Sequence, residues 1–259
     1  MPQEVSPSNA LHQATLLRER QHRDANGQFL IEGARQVALS LEANALQSLL
    51  YSASPLPFTA RLIEQVRARG IPFVPITKAQ LQTLAQGQDA QGLIGIAARQ
   101  TLSLSQARAY SGVWLALESV RSPGNLGSII RTCQAVGAQG IIAIGPQVDF
   151  WDGAAVRASM GALWHQQLVR ADWNEVFAFR ARHHPFWVGT ALREALPYNA
   201  IAYPRDLWLW MGDERRGLSQ LALKACNALA RIPLRDDVDS LNVSVAAGVM
   251  LYEVVRGRD

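Results

Sequence analysis

The fold is decided by three short stretches, Asn125-Leu-Gly-Ser-Ile-Ile-Arg131-Thr132, Met211-Gly-Asp-Glu214-Arg-Arg-Gly217 and Asp239-Ser-Leu-Asn242-Val-Ser-Val-Ala-Ala. Each stretch places polar residues and glycine where a predicted strand meets a predicted helix. Backbone N–H groups at such junctions commonly meet a cofactor or a phosphate. The first stretch is neither a G-x-G-x-x-G fingerprint nor a P-loop, because no Gly-Lys-Ser/Thr follows it. The order and spacing of the three stretches are therefore more informative than any one of them.

The strands that surround these stretches are nearly continuous apolar runs. They are predicted at Val113 to Leu117, Gly140 to Ile144, Gln167 to Val169, Phe186 to Val188 and Leu207 to Met211. Helices are predicted between them, at Leu126 to Val136, Trp173 to Ala181, Ser219 to Cys226 and Val243 to Val255. Strands of this kind are buried on both faces, as in a parallel sheet covered by helices. The second half of the chain is therefore predicted to be an α/β domain.

The first half also alternates strands with helices, but over shorter spacings. Strands are predicted around residues 29–31, 49–51, 73–75 and 93–97, with helices at 34–41, 60–69 and 78–84. This pattern predicts a second, smaller α/β domain. Residues 99–110 interrupt it and read as a linker. We therefore divide the chain into a domain at 1–105, which includes the first part of the linker, and a domain at 106–259.

A basic helix is predicted at the start, from His12 to Arg23. It carries Arg18, Arg20 and Arg23, and the last two lie three residues apart and share a helix face. A solvated helix face is one interpretation of these arginines, and contact with RNA is the other. We retain all three as candidate substrate-binding residues.

Composition limits the classes of protein to which the chain can belong. It has 259 residues, 49% hydrophobic and 18% charged, which is typical of globular domains with real cores. No apolar run approaches the length of a membrane span, and the N-terminus lacks a signal-peptide pattern, so we expect a cytoplasmic protein. All but two of the 25 basic residues are arginine, a residue suited to phosphate contact. Cys133 and Cys226 have no Cys or His neighbour at metal-ligand spacing, so we expect no metal site.

The polar residues of the three stretches lie where chemistry is expected. Asn125 is a natural N-cap, while Arg131 interrupts an otherwise apolar helix and so needs a partner or a task. Glu214 follows a predicted parallel strand at its carboxyl end, where open α/β sheets bind ligands. Ser240 or Asn242 caps the last helix, whose small residues allow close packing of another backbone.

Taken in order, the three stretches strongly resemble the SpoU (TrmH) family of RNA 2′-O-ribose methyltransferases, a class with a trefoil-knotted α/β fold. The resemblance covers roughly residues 110–257 and includes Arg157-Ala-Ser159-Met-Gly161-Ala between the first two stretches. In the first half, Gln28-Phe-Leu-Ile-Glu32-Gly33-Ala-Arg35 resembles the L30e-like (ribosomal-protein-L30-like) substrate-binding domain that many rRNA-modifying members carry. This second match is looser.

The resemblance implies a complete active site. It implies that the reacting ribose is surrounded by Asn125, Arg131, Glu214, Ser240 and Asn242. It also implies that S-adenosylmethionine is bound in the knotted loops, largely by backbone around Gly212, Ile232 and Leu241 with Thr190 nearby. No metal is implied. A homodimer is expected, packed partly through the final helix.

The role of Arg131 is open at this stage. The family assigns it to activating the 2′-hydroxyl, but a guanidinium is always protonated and accepts no proton. We expect Arg131 to hold the adjacent RNA phosphate in a bidentate manner, with the proton passing to that phosphate or to water. Glu214 is expected to fix the arginine and neighbouring groups.

Substrate and activity also leave alternatives. The L30e-like domain favours 23S rRNA, because such domains recognise structured RNA by shape, and tRNA is the alternative. A non-catalytic RNA-binding protein with a vestigial transferase domain is a second alternative. A nucleotide-dependent enzyme on a Rossmann sheet is a third, although the glycine fingerprint is missing.

Overall fold

The computed structural model describes residues 6–53, 56–85 and 91–256. Contacts group the chain into two units. Unit 1 comprises Met1–Gln100 and Trp151–Trp164, and unit 2 comprises Thr101–Phe150 and His165–Asp259. The sequence-based boundary after residue 105 lies close to the first of these divisions. The sequence pattern did not predict that residues 151–164 group with the N-terminal unit.

Unit 1 is a mixed sheet with helices. Its strands are β1 (Gln28–Glu32), β2 (Leu46–Ser52), β3 (Phe73–Ile76) and β4 (Leu93–Ala98). Its first five helices are α1 (Pro7–Leu16), α2 (Arg20–Asn26), α3 (Ala34–Glu42), α4 (Pro57–Ala68) and α5 (Lys78–Leu84). The strand order is β1-β4-β2-β3, in which only β2 and β3 are parallel. The expected smaller α/β domain is present.

Local chemistry explains where the helices of unit 1 begin. Thr77 and Gln80 form a reciprocal capping box at the start of α5, and Ser6 caps α1 ahead of a proline. One core cluster then forms between α1, α5 and the sheet, from the residues Ala10, Ala14, Leu17, Leu30, Leu50, Val74, Ile76, Leu81, Leu84, Ile94 and Ile96. Burial of these apolar side chains stabilises the unit.

The basic helix predicted from His12 to Arg23 is two helices, which corrects the expectation. The chain turns between α1 and α2 because Glu19 adopts an extended conformation. Arg23 is only 4% exposed, and its Nη1 donates hydrogen bonds to the carbonyls of Leu17 and Arg18 at 3.1 and 2.7 Å. Arg23 therefore stabilises the turn and does not present a cation to RNA.

The other two candidate arginines remain accessible. The guanidinium of Arg18 donates to the carbonyl of Thr83 at 3.0 Å on the surface. Arg20 is partly exposed and pairs with Asp24 at 3.3 Å. Arg18 and Arg20 therefore remain candidates for contact with the substrate, whereas Arg23 is too deeply buried to be one.

We expect Arg23→Gln to lower the thermal stability of the protein. Removing a buried guanidinium with two carbonyl partners costs about 2–3 kcal/mol, which corresponds to a fall of about 5–10 °C in melting temperature for a chain of this size. Arg61→Gln, at an exposed position of α4, is the matched control and should melt like the wild type. Wild-type melting of Arg23→Gln in a calorimeter would refute this structural role.

Residues 151–164 belong to unit 1 through specific contacts. They contain a sixth helix of this unit, labelled α7 (Gly153–Ala158) in chain order, which packs on β1. The buried amide of Gln36 donates to the carbonyl of Val156 at 3.2 Å and accepts from Trp164 Nε1 at 2.7 Å. The ring of Phe29 lies 4.6 Å from that of Trp151. These contacts complete a core that residues 1–100 do not fill alone.

Unit 2 is built on a seven-stranded sheet. Its strands are β5 (Val113–Glu118), β6 (Gly140–Ile144), β7 (Gln167–Ala171), β8 (Phe186–Thr190), β9 (Leu196–Pro197), β10 (Leu207–Met211) and β11 (Ala228–Arg231). Its helices are α6 (Pro123–Ala135), α8 (Trp173–His183), α9 (Gln220–Ala225) and α10 (Val243–Val255). The strand order is β7-β6-β5-β10-β8-β11-β9, and every pairing is parallel. The predicted parallel α/β domain is confirmed.

Tryptophan dominates one face of this sheet. The buried rings of β8 and β10, Trp187, Trp208 and Trp210, pack together with ring centroids 4.6–6.0 Å apart. Trp114 of β5 belongs to the same core cluster. Large aromatic rings bury more apolar area than aliphatic side chains, so their burial contributes strongly to the stability of this unit.

Within residues 6–53, 56–85 and 91–256, no helix is both long enough and apolar enough to cross a bilayer.

Candidate active site

The parallel sheet brings the polar stretches to one edge. All strands of unit 2 run in the same direction, so the segments that follow β5, β8, β10 and β11 emerge together at their carboxyl ends. Ligands bind at this edge in open α/β sheets. The three stretches, far apart in sequence, therefore meet in one place.

The larger of two cavities at this edge has a volume of about 450 Å³. This volume is within the usual range for a small-molecule site. The four residues that the resemblance assigned to the cofactor, Thr190, Gly212, Ile232 and Leu241, all line it. Glu214 and Ser240 line it as well. We call it the larger cavity.

Part of the lining of the larger cavity is a tight turn that follows β10. Asp213 and Gly217 exchange two backbone hydrogen bonds of 3.0 and 2.9 Å, which closes the loop between them. Gly217 has a φ of +67°, a conformation that glycine adopts without strain. A Cβ on Gly212 would lie 2.1 Å from the carbonyl carbon of Gly217. The turn therefore requires glycine at both ends.

Asp213 organises this turn. Its carboxylate accepts hydrogen bonds from the backbone N–H groups of Arg215 and Arg216 at 2.9 and 3.0 Å, and it pairs with Arg121 at 3.5 Å. The hydrogen bond from the Arg215 N–H is the main reason that the pKa of Asp213 lies below its ordinary value of 3.8. A depressed carboxyl pKa means that these contacts stabilise the turn at neutral pH. They are lost only as the pH falls through that lowered pKa.

The smaller cavity lies beside the first and has a volume of about 400 Å³. It is lined by Arg121, Ser122, Asn125, Asp213, Glu214, Arg215 and Arg216. We call it the smaller cavity.

A chain of hydrogen bonds connects all three stretches. Asn242 Nδ2 donates to Asn125 Oδ1 at 3.0 Å, and Asn125 Nδ2 donates to Glu214 Oε1 at 3.2 Å. Each of the three residues comes from a different stretch, and Asn125 is in the centre. The arrangement holds two amides and a carboxylate in fixed orientations, and two of these residues, Asn125 and Glu214, line the smaller cavity, where hydroxyl groups of a ligand could be bound.

The caps of the two helices differ in part from expectation. Ser122 caps α6, with its Oγ accepting from the N–H of Asn125, so Asn125 lies in the first turn and its side chain is free to form the chain. Asn242 caps α10 through a 2.8 Å hydrogen bond from the Ser244 N–H. Of the two candidates for that cap, Ser240 and Asn242, the structure selects Asn242.

Arg131 lies apart from these groups. It is exposed on α6, lines neither cavity, and makes no hydrogen bond or ion pair with another residue of the described ranges. Glu214 accepts a hydrogen bond from Asn125, one of the neighbouring groups that it was expected to fix. Within a single chain, no hydrogen bond or ion pair joins Glu214 to Arg131 in the described residues. Arg131 would have to meet its partner on a ligand or on another chain.

Two site residues escaped the sequence analysis. Arg121 lines the smaller cavity and pairs with Asp213. Glu118 is 8% exposed at the end of β5, and its Oε2 accepts from the N–H of Ser219 at 2.9 Å, which anchors α9. A carboxylate that ends an otherwise apolar strand was the available signal for Glu118. In the same part of the chain that the structure describes, no group of three or more His, Cys, Asp or Glu could hold a metal ion.

An all-parallel α/β sheet with a cavity and an ordered polar chain at its carboxyl edge is typical of α/β proteins that bind a ligand at this edge. Comparison with known proteins is more specific. The model of the SpoU rRNA Methylase family matches residues 112–252, and the model of the MRM3-like substrate binding domain matches residues 9–95. The chain belongs to the SpoU rRNA methylase family.

Individual relatives agree with this assignment. The chain is 31% identical over 255 residues to a 23S rRNA (uridine(2479)-2′-O)-methyltransferase of Streptomyces viridochromogenes, covering 94% of this chain and 88% of the relative. It is 29% identical over 205 residues to the 23S rRNA (guanosine-2′-O-)-methyltransferase RlmB of Coxiella burnetii, covering 76% and 82%. The crystal structure of AdoMet-bound rRNA methyltransferase from Sinorhizobium meliloti superimposes with a TM-score of 0.89 at 31% identity, covering 98% of this chain and 97% of that one.

Proposed function

We propose that this protein transfers a methyl group from S-adenosylmethionine to a ribose 2′-hydroxyl of 23S rRNA. The observation that carries the proposal is the hydrogen-bond chain of Asn242, Asn125 and Glu214 beside the larger cavity. Family membership supports the reaction type. The names of the two relatives, both 23S rRNA 2′-O-methyltransferases, support the substrate.

The larger cavity fits S-adenosylmethionine. Glycine at position 212 keeps the turn tight and its backbone close, and Ile232 and Leu241 add apolar surface. The hydroxyl of Thr190 is tied to the carbonyl of Trp210 at 3.0 Å, which holds the end of β8 against β10. When bound, the cofactor supplies a methyl group activated by its positive sulfonium. The solved S. meliloti structure contains AdoMet, which supports this assignment.

The residues of the chain would position the nucleophile. Asn125 and Asn242 orient the ribose by hydrogen bonds, and Glu214 keeps Asn125 in the required rotamer. Ser240, on the wall of the larger cavity, provides a further hydroxyl contact. Alignment of this kind is a major part of catalysis in a direct transfer. The 2′-hydroxyl proton leaves to a phosphate oxygen or to water, since Arg131 accepts none.

The first unit would deliver the RNA. Residues 9–95 match a substrate-binding domain, and the accessible Arg18 and Arg20 lie within it. Ribosomal RNA as the substrate is consistent with the cytoplasmic location expected from the sequence. If tRNA were the substrate instead, the mapping experiment described next would detect its methylation.

The test is to map ribose-methylated nucleotides in rRNA and tRNA from cells with and without the gene. We expect one 23S rRNA position to lose its methyl group, and the purified protein to restore it on unmodified transcript with labelled S-adenosylmethionine. Asn125→Asp, which replaces the amide that donates to Glu214, serves as the low-activity control. Binding of RNA without any methyl transfer would instead support the non-catalytic alternative.

We also propose that the active unit is a homodimer formed through α10. One face of this helix exposes apolar side chains, with Val245 and Tyr252 52% and 59% exposed and Val249 between them. On the same face, a Cβ added to Gly248 would meet nothing within 4 Å. In a two-fold symmetric dimer, this face of α10 would pack against the same face of a second copy of the chain. The second copy could also place a partner side chain near Arg131.

We expect Gly248→Leu to dissociate the dimer while leaving the monomer folded. A leucine side chain at position 248 has room in the single chain, but it would overpack a close contact between the two α10 helices of a dimer. We therefore expect the dimer dissociation constant to rise by about tenfold or more. Sedimentation equilibrium at micromolar concentration measures it. Ala181→Leu, at an exposed position of α8, is the control. A wild-type monomer that methylates RNA would contradict the proposal.

The trefoil knot is a further part of the proposal. The insertion of β10 between β5 and β8 supports it, as does the lining of one cavity by the segments that follow β8, β10 and β11.

A further inference from the structure

The residues that line the smaller cavity carry more positive than negative charges, and the roles proposed so far for the active site do not involve its arginines. Three arginines line it, Arg121, Arg215 and Arg216, against the two carboxylates of Asp213 and Glu214. Arg121, Arg215 and Arg216 are all exposed. A group of cations around a polar cavity of about 400 Å³ attracts an anion.

Both carboxylates are already engaged within the protein. Asp213 accepts from two backbone N–H groups and pairs with Arg121, and Glu214 accepts from Asn125. In the described ranges, no hydrogen bond or ion pair joins the guanidinium of Arg215 or Arg216 to another residue, although the positive charge of Arg216 helps to lower the pKa of Asp213. Their donors are therefore available to a ligand.

The cavity also adjoins the position proposed for the ribose. Asn125 and Glu214 line it directly, so an anion bound there lies next to the group that Asn125 orients. In RNA, the anions beside a ribose are its own flanking phosphodiesters. Arg131, which we expected to hold that phosphate, lines neither cavity in the single chain.

We propose that Arg121, Arg215 and Arg216 bind the RNA phosphates that flank the target ribose. Guanidinium groups bind phosphate oxygens in a bidentate manner, and such contacts position the strand without reading its sequence. The carboxylate of Asp213 fixes the turn that carries Arg215 and Arg216 and pairs with Arg121 beside them. This inference rests on the proposed function, since it takes RNA as the ligand.

A competing ligand is the carboxylate of S-adenosylmethionine. Arg215 and Arg216 also line the larger cavity, so they could face the cofactor, whereas Arg121 lines only the smaller one. Arg121 is therefore the variant that separates the two ligands.

The experiment measures binding of in-vitro transcribed 23S rRNA at several salt concentrations. The variants are Arg121→Gln, Arg215→Gln, Arg216→Gln and the triple substitution. Each lost phosphate contact should weaken RNA binding by about three- to tenfold and reduce the slope of log K against log salt by about 0.7–0.9. Arg121→Gln should leave the dissociation constant of S-adenosylmethionine, measured by equilibrium dialysis, within about twofold of wild type.

Arg182→Gln provides the matched control, because Arg182 is exposed on α8, outside both cavities, and its loss removes the same charge. It should retain the wild-type salt slope. A triple variant with wild-type RNA affinity and slope would overturn the proposal. So would a loss of cofactor affinity in Arg215→Gln and Arg216→Gln with RNA binding intact. Wild-type protein that fails to methylate the transcript would refute the proposed function instead, which keeps the two failures distinct.

Discussion

We expect Gly212→Ala to weaken the binding of S-adenosylmethionine strongly and to reduce methyl transfer with it. The added Cβ would lie 2.1 Å from the carbonyl carbon of Gly217 and 2.3 Å from the backbone nitrogen of Leu218. Both are backbone atoms of the turn that lines the larger cavity, so the turn itself must move. We expect the cofactor dissociation constant, measured by equilibrium dialysis, to rise by about 100-fold.

Gly124→Ala is the matched control for this substitution. Gly124 lies in the first turn of α6, and its added Cβ would come no closer than 4.0 Å to Ser122 Oγ. The control should bind the cofactor as the wild type does. If Gly212→Ala also kept wild-type affinity, the larger cavity would not be the cofactor site, or the turn would not shape it.

The second large effect is expected from Asn125→Asp. This change places a second carboxylate within about 3.2 Å of Glu214 Oε1, where the amide of Asn125 now donates. Two carboxylates at this distance cannot both ionise freely, so the pKa of the pair is raised. At pH 8 the hydrogen bond is replaced by repulsion, and we expect kcat/KM to fall by about 100-fold, the effect of misplacing an orienting group.

The pH dependence of this variant identifies the cause. As the pH falls through the raised pKa, one carboxyl becomes protonated and donates again, so activity relative to the wild type should rise. Adding Glu214→Gln to Asn125→Asp restores an uncharged donor opposite a carboxylate, and the relative activity should lose its pH dependence. Glu214→Gln alone should show none either. A flat pH profile for Asn125→Asp would show that the contact does not operate during turnover.

Most regular elements could be predicted because apolar periodicity is a local property. The strands of the parallel sheet were found where continuous apolar runs indicated them, and α5 and α10 begin and end at the predicted residues. Strands β9 and β11 were missed, because they have only two and four residues and a single one of these, Ala230, is buried. Their conformation is imposed by pairing with each other and with β8.

Residues 151–164 illustrate a different limit. Their sequence lies within the second half of the chain, yet they pack against β1 and around Gln36 of unit 1. The local sequence of residues 151–164 does not indicate that they contact residues 1–100, because the contacting side chains are far apart in the sequence. The same holds for Arg23, which reads as a surface cation but fills the turn between α1 and α2.

The sequence by itself determined the class of fold, the family and six residues that line the larger cavity, namely Thr190, Gly212, Glu214, Ile232, Ser240 and Leu241. Backbone geometry at strand-to-helix junctions follows from local residue types, and the three stretches carry those types in order. The tertiary structure alone decided which side chains touch. It joined Asn242, Asn125 and Glu214 into one chain, left Arg131 outside both cavities, and placed Arg121 beside Asp213. Contacts of this kind depend on the positions of elements that share no local sequence, so they appear only when the sheet assembles.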